Sequence, residues 1–134
     1  MRRAWLVVTF CVVGAAIVRA EDMARLELNA AENVDNRCRL TFLIENKTAG
    51  PIESIKLDLA LFNTEGVIQR RMITEMGPVR GKRTNVRTFP TEIECGKLGS
   101  ILVNEITACA PTEPQACLDG LELSSRVSAI RLYK

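Results

Sequence analysis

The chain has 134 residues, with 18 Lys and Arg against 16 Asp and Glu, and it contains no histidine. A chain of this length fits one domain and leaves little room for two. The lack of histidine excludes Ser-His and Cys-His nucleophile pairs. It also removes the usual acid–base group near neutral pH and the commonest zinc and copper ligand.

The first 20 residues have the pattern of an export signal. Arg2 and Arg3 give a charged start, and the 15 residues 4–18 then carry no charge. A membrane-spanning helix needs about 20 apolar residues, so this run is better suited to a signal peptide, and small residues precede a cleavage site near Ala20. We therefore expect a periplasmic or secreted bacterial protein. The twin arginines leave open whether general secretion or twin-arginine export is used.

Removal of the leader changes the charge balance. The mature domain, residues 21–134, keeps 15 of the 18 basic residues against 16 acidic ones, a net charge of −1. No overall case for nucleic-acid binding remains. We also expect no transmembrane helix in the mature protein.

Four cysteines remain in the mature domain, namely Cys38, Cys95, Cys109 and Cys117. An even number in a small exported domain predicts two disulfides. We favour Cys38–Cys95 and Cys109–Cys117, which would stabilise the fold by about 4 and about 2.6 kcal/mol in the chain-entropy model. The rival pair is Cys38–Cys109, the arrangement of antibody-like domains.

Apolar and polar residues alternate through most of the mature domain, which indicates strands. The seven predicted strands cover residues 24–29, 38–44, 55–61, 67–75, 84–88, 101–109 and 121–127. A loop or one helical turn is expected over 91–99, a turn-rich loop over 110–116 and a tail over 128–134. The pattern predicts one all-β, immunoglobulin-like antiparallel β-sandwich of about seven strands.

Residues 40–89 resemble the immunoglobulin-like domains of FxLYD type. The resemblance rests on Asn46-Lys47-Thr48, Pro51-Ile52, Leu59-Ala60-Leu61-Phe62-Asn63 at the position of the name motif, Gly66-Val67, Gly77-Pro78 and Gly81-Lys82. The mature chain is also similar to small exported bacterial proteins of unknown function, which share Cys-Arg-Leu-Thr-Phe at 38–42 and Thr-Ala-Cys at 107–109. This resemblance implies the fold and brings no catalytic residues. Asn46-Lys47-Thr48 also matches a glycosylation acceptor, which would be silent in bacteria.

Basic residues concentrate in the fourth and fifth predicted strands, which we expect to form a hairpin. Residues 65–90 carry a net charge of +4, whereas 21–64 carry −3 and 91–134 carry −2. The basic residues are Arg70, Arg71, Arg80, Lys82, Arg83 and Arg87. They either keep an edge strand from pairing with another molecule or form a docking surface for an acidic protein partner or an anionic membrane.

The most favoured function is a non-catalytic periplasmic interaction or accessory module without cofactor or metal. One alternative is a redox or hydrolytic enzyme that uses the cysteines or the neighbouring carboxylates of Glu92 and Glu94. Another is a metal carrier, but a zinc site of cysteines alone would need thiolates in a compartment that favours disulfides, and Met72 and Met76 are better explained as packing residues.

Overall fold

The computed structural model describes residues 11, 14 and 22–134. The predicted export signal and its cleavage site near Ala20 therefore lie outside the described residues, apart from Cys11 and Gly14. Within the described part the strands are β1 (Ala24–Val34), β2 (Arg37–Asn46), β3 (Ser54–Asn63), β4 (Ile68–Glu75), β5 (Thr84–Pro90), β6 (Leu98–Ala110), β7 (Leu121–Ser125) and β8 (Arg131–Tyr133). A 3-10 turn spans Cys95–Lys97 and a helix, α1, spans Pro114–Asp119.

The strands form two four-stranded sheets that pack face to face. Sheet I has the order β5-β2-β1-β7, and sheet II has the order β4-β3-β6-β8. The prediction of an all-β sandwich is confirmed. The sheets are mixed rather than purely antiparallel, because β7 pairs in parallel with β1 and β8 pairs in parallel with β6. No helix in the described ranges is long and apolar enough to cross a membrane.

The core lies between the two inner faces and follows the period-two pattern. The alternating apolar residues predicted for the second and third strands have no exposed surface, namely Cys38, Leu40, Phe42, Ile44, Ile55, Leu57, Leu59 and Leu61. A fully buried Leu or Ile stabilises a fold by about 1.5–3 kcal/mol relative to an exposed one. The alternation therefore sets which face of β2 and β3 points inward.

The segment predicted as a tail over 128–134 is part of the core. Ile130 and Leu132 are buried, and Arg131–Tyr133 forms β8 at the edge of sheet II. β8 packs beside β7, so the last residues of the chain close one side of the sandwich. The tail prediction was wrong because three residues are too short for a period-two pattern to be visible.

The loop predicted over 110–116 is shorter than expected, since α1 begins at Pro114. The carboxylate of Glu113 accepts a hydrogen bond from the Ala116 amide at 3.0 Å, which caps the helix. Proline suits the first turn of a helix because its missing amide would have had no helical partner there. The helix carries Cys117 into the core.

The predicted hairpin of β4 and β5 does not form, because the two strands belong to different sheets. β4 pairs with β3 and β5 pairs with β2. The connection between them buries Met76 and Val79, and Val79 exchanges two backbone hydrogen bonds with Ile52. The chain therefore crosses the edge of the sandwich from sheet II to sheet I instead of turning back on itself.

The two disulfides have the pairing that the sequence analysis favoured. Cys38 of β2 is bonded to Cys95 in the 3-10 turn, and Cys109 of β6 is bonded to Cys117 of α1. The rival pair Cys38–Cys109 is excluded. One disulfide ties the segment after β5 to sheet I, and the other ties α1 to sheet II.

We expect the disulfide that closes the longer loop to contribute more to stability. Replacing Cys38 and Cys95 by Ala should lower the free energy of unfolding by about 4 kcal/mol, and replacing Cys109 and Cys117 should lower it by about 2.6 kcal/mol. The two values differ because the bonded cysteines are 57 and 8 positions apart, and closing a longer loop removes more entropy from the unfolded chain. Urea unfolding of the two double variants measures both values. A larger loss for the shorter loop would contradict the loop-entropy explanation.

Candidate functional site

A buried asparagine organises the most basic turn of the chain. The side chain of Asn46, which has no exposed surface, donates hydrogen bonds to Gly50 O at 2.9 Å and to Val79 O at 3.1 Å. Its Oδ1 accepts from the amide and the hydroxyl of Thr48 at 2.9 and 2.7 Å. The backbone amide of Asn46 donates to Arg83 O at 2.8 Å.

These contacts fix both ends of residues 80–83, which we call the basic turn. Val79 precedes the turn and Arg83 ends it, and Asn46 holds one with its side chain and the other with its backbone. The Lys82 amide donates to Thr48 O at 3.0 Å, which also ties the middle of the turn to the neighbouring loop. The position of the basic turn is therefore set by the end of β2.

The backbone of the basic turn is held in a conformation that needs support. A Cβ at Gly81 would lie 2.0 Å from Ala49 O, so only glycine fits against that loop. Lys82 has a φ of 59°, a left-handed conformation that is uncommon for residues with a side chain. Its ammonium donates to Lys47 O. Unusual backbone persists where the surroundings over-determine it, and it is enriched at binding sites.

Beside the basic turn lies a cavity of about 390 Å³, which we call the basic groove. It is lined by Pro51, Pro78, Val79, Arg80, Arg83 and Asn85. Among the described residues, no carboxylate lies within ion-pair distance of Arg80 or Arg83. The groove thus combines an apolar floor of proline and valine with two guanidinium groups whose charge is not neutralised locally.

The other four predicted docking residues have partners within the chain. Arg70 forms an ion pair with Glu92 at 2.7 Å, and Arg71 forms one with Asp58. Lys82 donates to a backbone carbonyl, and Arg87 donates to Pro78 O at 3.2 Å. Carboxylates therefore neutralise Arg70 and Arg71, whereas Lys82 and Arg87 donate only to uncharged carbonyls and keep their positive charge beside Arg80 and Arg83.

Asp58 is a buried carboxylate that the sequence pattern did not single out. Its side chain is 4% exposed on the outer face of sheet II, where β6 bulges and brings Asn104 within 2.9 Å. The hydrogen bond from Arg71, and then that from Asn104, lower the pKa of this carboxyl below its ordinary value. Arg71 and Asn104 are 13 and 46 residues away in sequence, so no local motif could reveal the cluster.

The residues considered for catalysis are engaged in contacts within the chain. Glu92 is paired with Arg70, and Glu94 lies 3.6 Å from the ammonium of Lys97. The four cysteines in residues 22–134 are all in disulfides. In residues 22–134, no group of three or more Cys, Asp or Glu side chains is arranged to hold a metal ion. Met76 is buried in the core and Met72 packs against it.

Comparison with protein-family models, with curated proteins and with solved structures returns no match to this chain.

Replacing Asn46 by Ala should loosen the basic turn before it unfolds the domain. The variant loses four side-chain hydrogen bonds, but Val79 O keeps a bond from Ile52 and Gly50 O keeps one from Thr48. We expect a loss of about 2 kcal/mol in the free energy of unfolding. The amides of Lys82 and Arg83 should exchange with solvent faster in the native state. Unchanged exchange at these two amides would show that Asn46 does not position the turn.

Replacing Asp58 by Asn should make stability less sensitive to acid. A carboxyl whose pKa is lowered by folding stabilises the native state above the ordinary aspartate pKa of about 4, and this contribution is lost as the pH falls through the native-state pKa. We expect D58N to lose about 1–2 kcal/mol at neutral pH, since the partner Arg71 is 58% exposed and stays hydrated.

The matched control is E92Q, which breaks the exposed pair with Arg70 and should cost less than about 0.5 kcal/mol. Urea unfolding from neutral to acidic pH measures both variants. An acid profile of D58N that is parallel to that of the unmodified protein would contradict the role given to Asp58.

Proposed function

We propose that the protein is an exported, non-catalytic binding module that docks an acidic protein partner at the basic groove. The observation that carries this proposal is the pair Arg80 and Arg83, two exposed guanidinium groups on a turn held from both ends by Asn46. A fixed turn lowers the ordering cost of binding, and arginine suits carboxylate recognition because its donors form a planar fork.

Export is part of the proposal. Two disulfides are compatible with an oxidising compartment, and the predicted leader supplies the route. The immunoglobulin-like character and the resemblance to FxLYD-type domains remain predictions. They agree with a scaffold whose function resides in surface residues rather than in a reactive centre.

An acidic protein is favoured over an anionic membrane because the positive charge that carboxylates leave unpaired is concentrated at one groove. Membrane binding by electrostatics uses clusters of several basic residues spread over a surface, each worth about 1 kcal/mol. Here carboxylates already neutralise Arg70 and Arg71, and hydrogen bonds to backbone carbonyls tie Lys82 and Arg87 to the protein. The apolar floor of Pro51, Pro78 and Val79 suits a peptide segment with both carboxylates and apolar groups.

The test is a selection of short peptides from an unbiased displayed library on the purified, oxidised protein. We expect the enriched peptides to carry an excess of Asp and Glu, and their dissociation constant to rise by about tenfold or more in the double variant R80E/R83E. The matched control is K56E/R126E, which makes the same change in net charge at exposed residues outside the groove. It should change the dissociation constant by less than about twofold.

Two results would overturn the proposal. One is peptide binding without acidic enrichment, or with equal loss in both double variants. The other is sedimentation with phosphatidylglycerol vesicles that depends on Arg80 and Arg83 when no acidic peptide binds, which would assign the groove to a membrane surface.

A further inference from the structure

The open edge of β5 begins at the basic groove. β5 is the outermost strand of sheet I, and β2 is its only strand neighbour among the described residues. Arg83 immediately precedes β5, and Asn85 of β5 lines the groove. The edge and the groove therefore form one continuous surface.

The backbone groups that face this open edge follow from the ladder. In an antiparallel pair, opposite residues alternate between those that exchange backbone hydrogen bonds and those whose backbone groups point away. The Asn46 amide donates to Arg83 O at one end of the β2–β5 pair, and the Thr91 amide donates to Cys38 O at the other. Counting inward from both ends, the residues that bond to β2 are Asn85, Arg87 and Phe89.

The intervening residues Thr84, Val86 and Thr88 therefore turn their amides and carbonyls toward the open edge. One contact supports this orientation directly. The carbonyl of Val86 accepts a hydrogen bond at 3.2 Å from the guanidinium of Arg87 rather than from β2. The edge thus offers a row of backbone groups with the spacing of a strand, which is what an added strand needs.

The side chains along the edge alternate in chemistry. Arg83, Asn85 and Arg87 lie on the groove side of β5, where Asn85 and Arg87 both donate to Pro78 O. The opposite side exposes Thr84, Val86 and Thr88, and Val86 is 60% exposed. A strand added to β5 would meet cationic groups on one face and an apolar group on the other.

We infer that the ligand is an extended protein segment in which acidic and β-branched or aromatic residues alternate, and that it binds by adding a strand to the edge of β5. Its acidic side chains enter the basic groove toward Arg80 and Arg83, and its apolar side chains pack against Val86. Its amides replace the guanidinium of Arg87 at the Val86 carbonyl. This inference rests on the proposed function and specifies how the acidic partner is recognised.

The experiment compares variants at the two open edges, using an acidic peptide selected on the protein. V86P removes an amide that faces the edge without removing a hydrogen bond to β2, and proline is tolerated on edge strands for this reason. The matched control is I73P on β4, the outer strand of sheet II. The Met76 amide donates to Ile55 O, so Met76, Thr74 and Met72 are the positions that bond to β3. The Ile73 amide therefore faces the open edge of β4, as the Val86 amide faces that of β5. We expect V86P to raise the dissociation constant by about tenfold or more and I73P by less than about threefold.

The peptide itself supplies a readout that does not depend on how the variants fold. A scrambled peptide of the same composition, with its acidic residues grouped together, should bind about tenfold more weakly or worse. Only every second amide of an added strand points to its neighbour. N-methylation of the peptide amides that face β5 should therefore abolish binding, whereas N-methylation of the intervening amides should leave it nearly unchanged.

The outcomes distinguish strand addition at β5 from binding of an acidic ligand at the basic groove. If the scrambled and N-methylated peptides bind as tightly as the parent while R80E/R83E still weakens binding, strand addition is wrong and the basic groove stands. Loss of binding in I73P with no effect of V86P would overturn the choice of β5. If no acidic peptide depends on Arg80 and Arg83, the proposed function itself fails.

Discussion

The buried amide of Asn46 is the interaction on which the functional interpretation depends. One residue at the end of β2 holds Val79 with its side chain and Arg83 with its backbone, and so it fixes both ends of the basic turn. A buried polar group is costly unless all of its hydrogen bonds are made. Asn46 makes both donations and accepts twice from Thr48.

The same contacts bury the amide that a glycosylation motif would need exposed. The Asn-Lys-Thr sequence is thus a structural turn that links sheet I to the crossing segment.

The crossing of the chain between the sheets explains why the positive charge is divided. Arg70 and Arg71 remain with sheet II, where Asp58 of β3 pairs with Arg71, and Glu92 from the segment after β5 pairs with Arg70. The residues after the crossing belong to sheet I, where Arg80 and Arg83 flank a groove and no described carboxylate pairs with them.

An edge strand with exposed backbone groups is a hazard for aggregation, which basic residues and proline reduce. In β5 the guanidinium of Arg87 covers the Val86 carbonyl and Pro90 ends the strand. These features protect the edge and leave it available to a complementary strand.

The alternation of residues 38–44 and 55–61 is sufficient to predict two central strands and their buried faces, because a strand buried on one side shows its period locally. The disulfide pairing could be favoured but not fixed, because the turn-rich loop suggested Cys109–Cys117 while Cys38–Cys109 remained open until the fold showed which cysteines are adjacent. Sheet membership could not be inferred, because it depends on whether Met76 and Val79 are buried between sequence-distant segments. For the same reason the neutralisation of Arg70 and Arg71 could not be predicted, since Glu92 and Asp58 approach them only in the folded chain.

The central claim is that Arg80 and Arg83, and not the other arginines, receive the acidic ligand. The most direct measurement is a titration of ¹⁵N-labelled protein with an acidic peptide, followed through the Nε–Hε resonances of the arginine side chains. We expect the signals of Arg80 and Arg83 to shift first and most, while those of Arg25 and Arg126 stay in place. Shifts spread evenly over all arginines, or centred on Arg37 and Arg39 beside the cavity near the Cys38 disulfide, would contradict it.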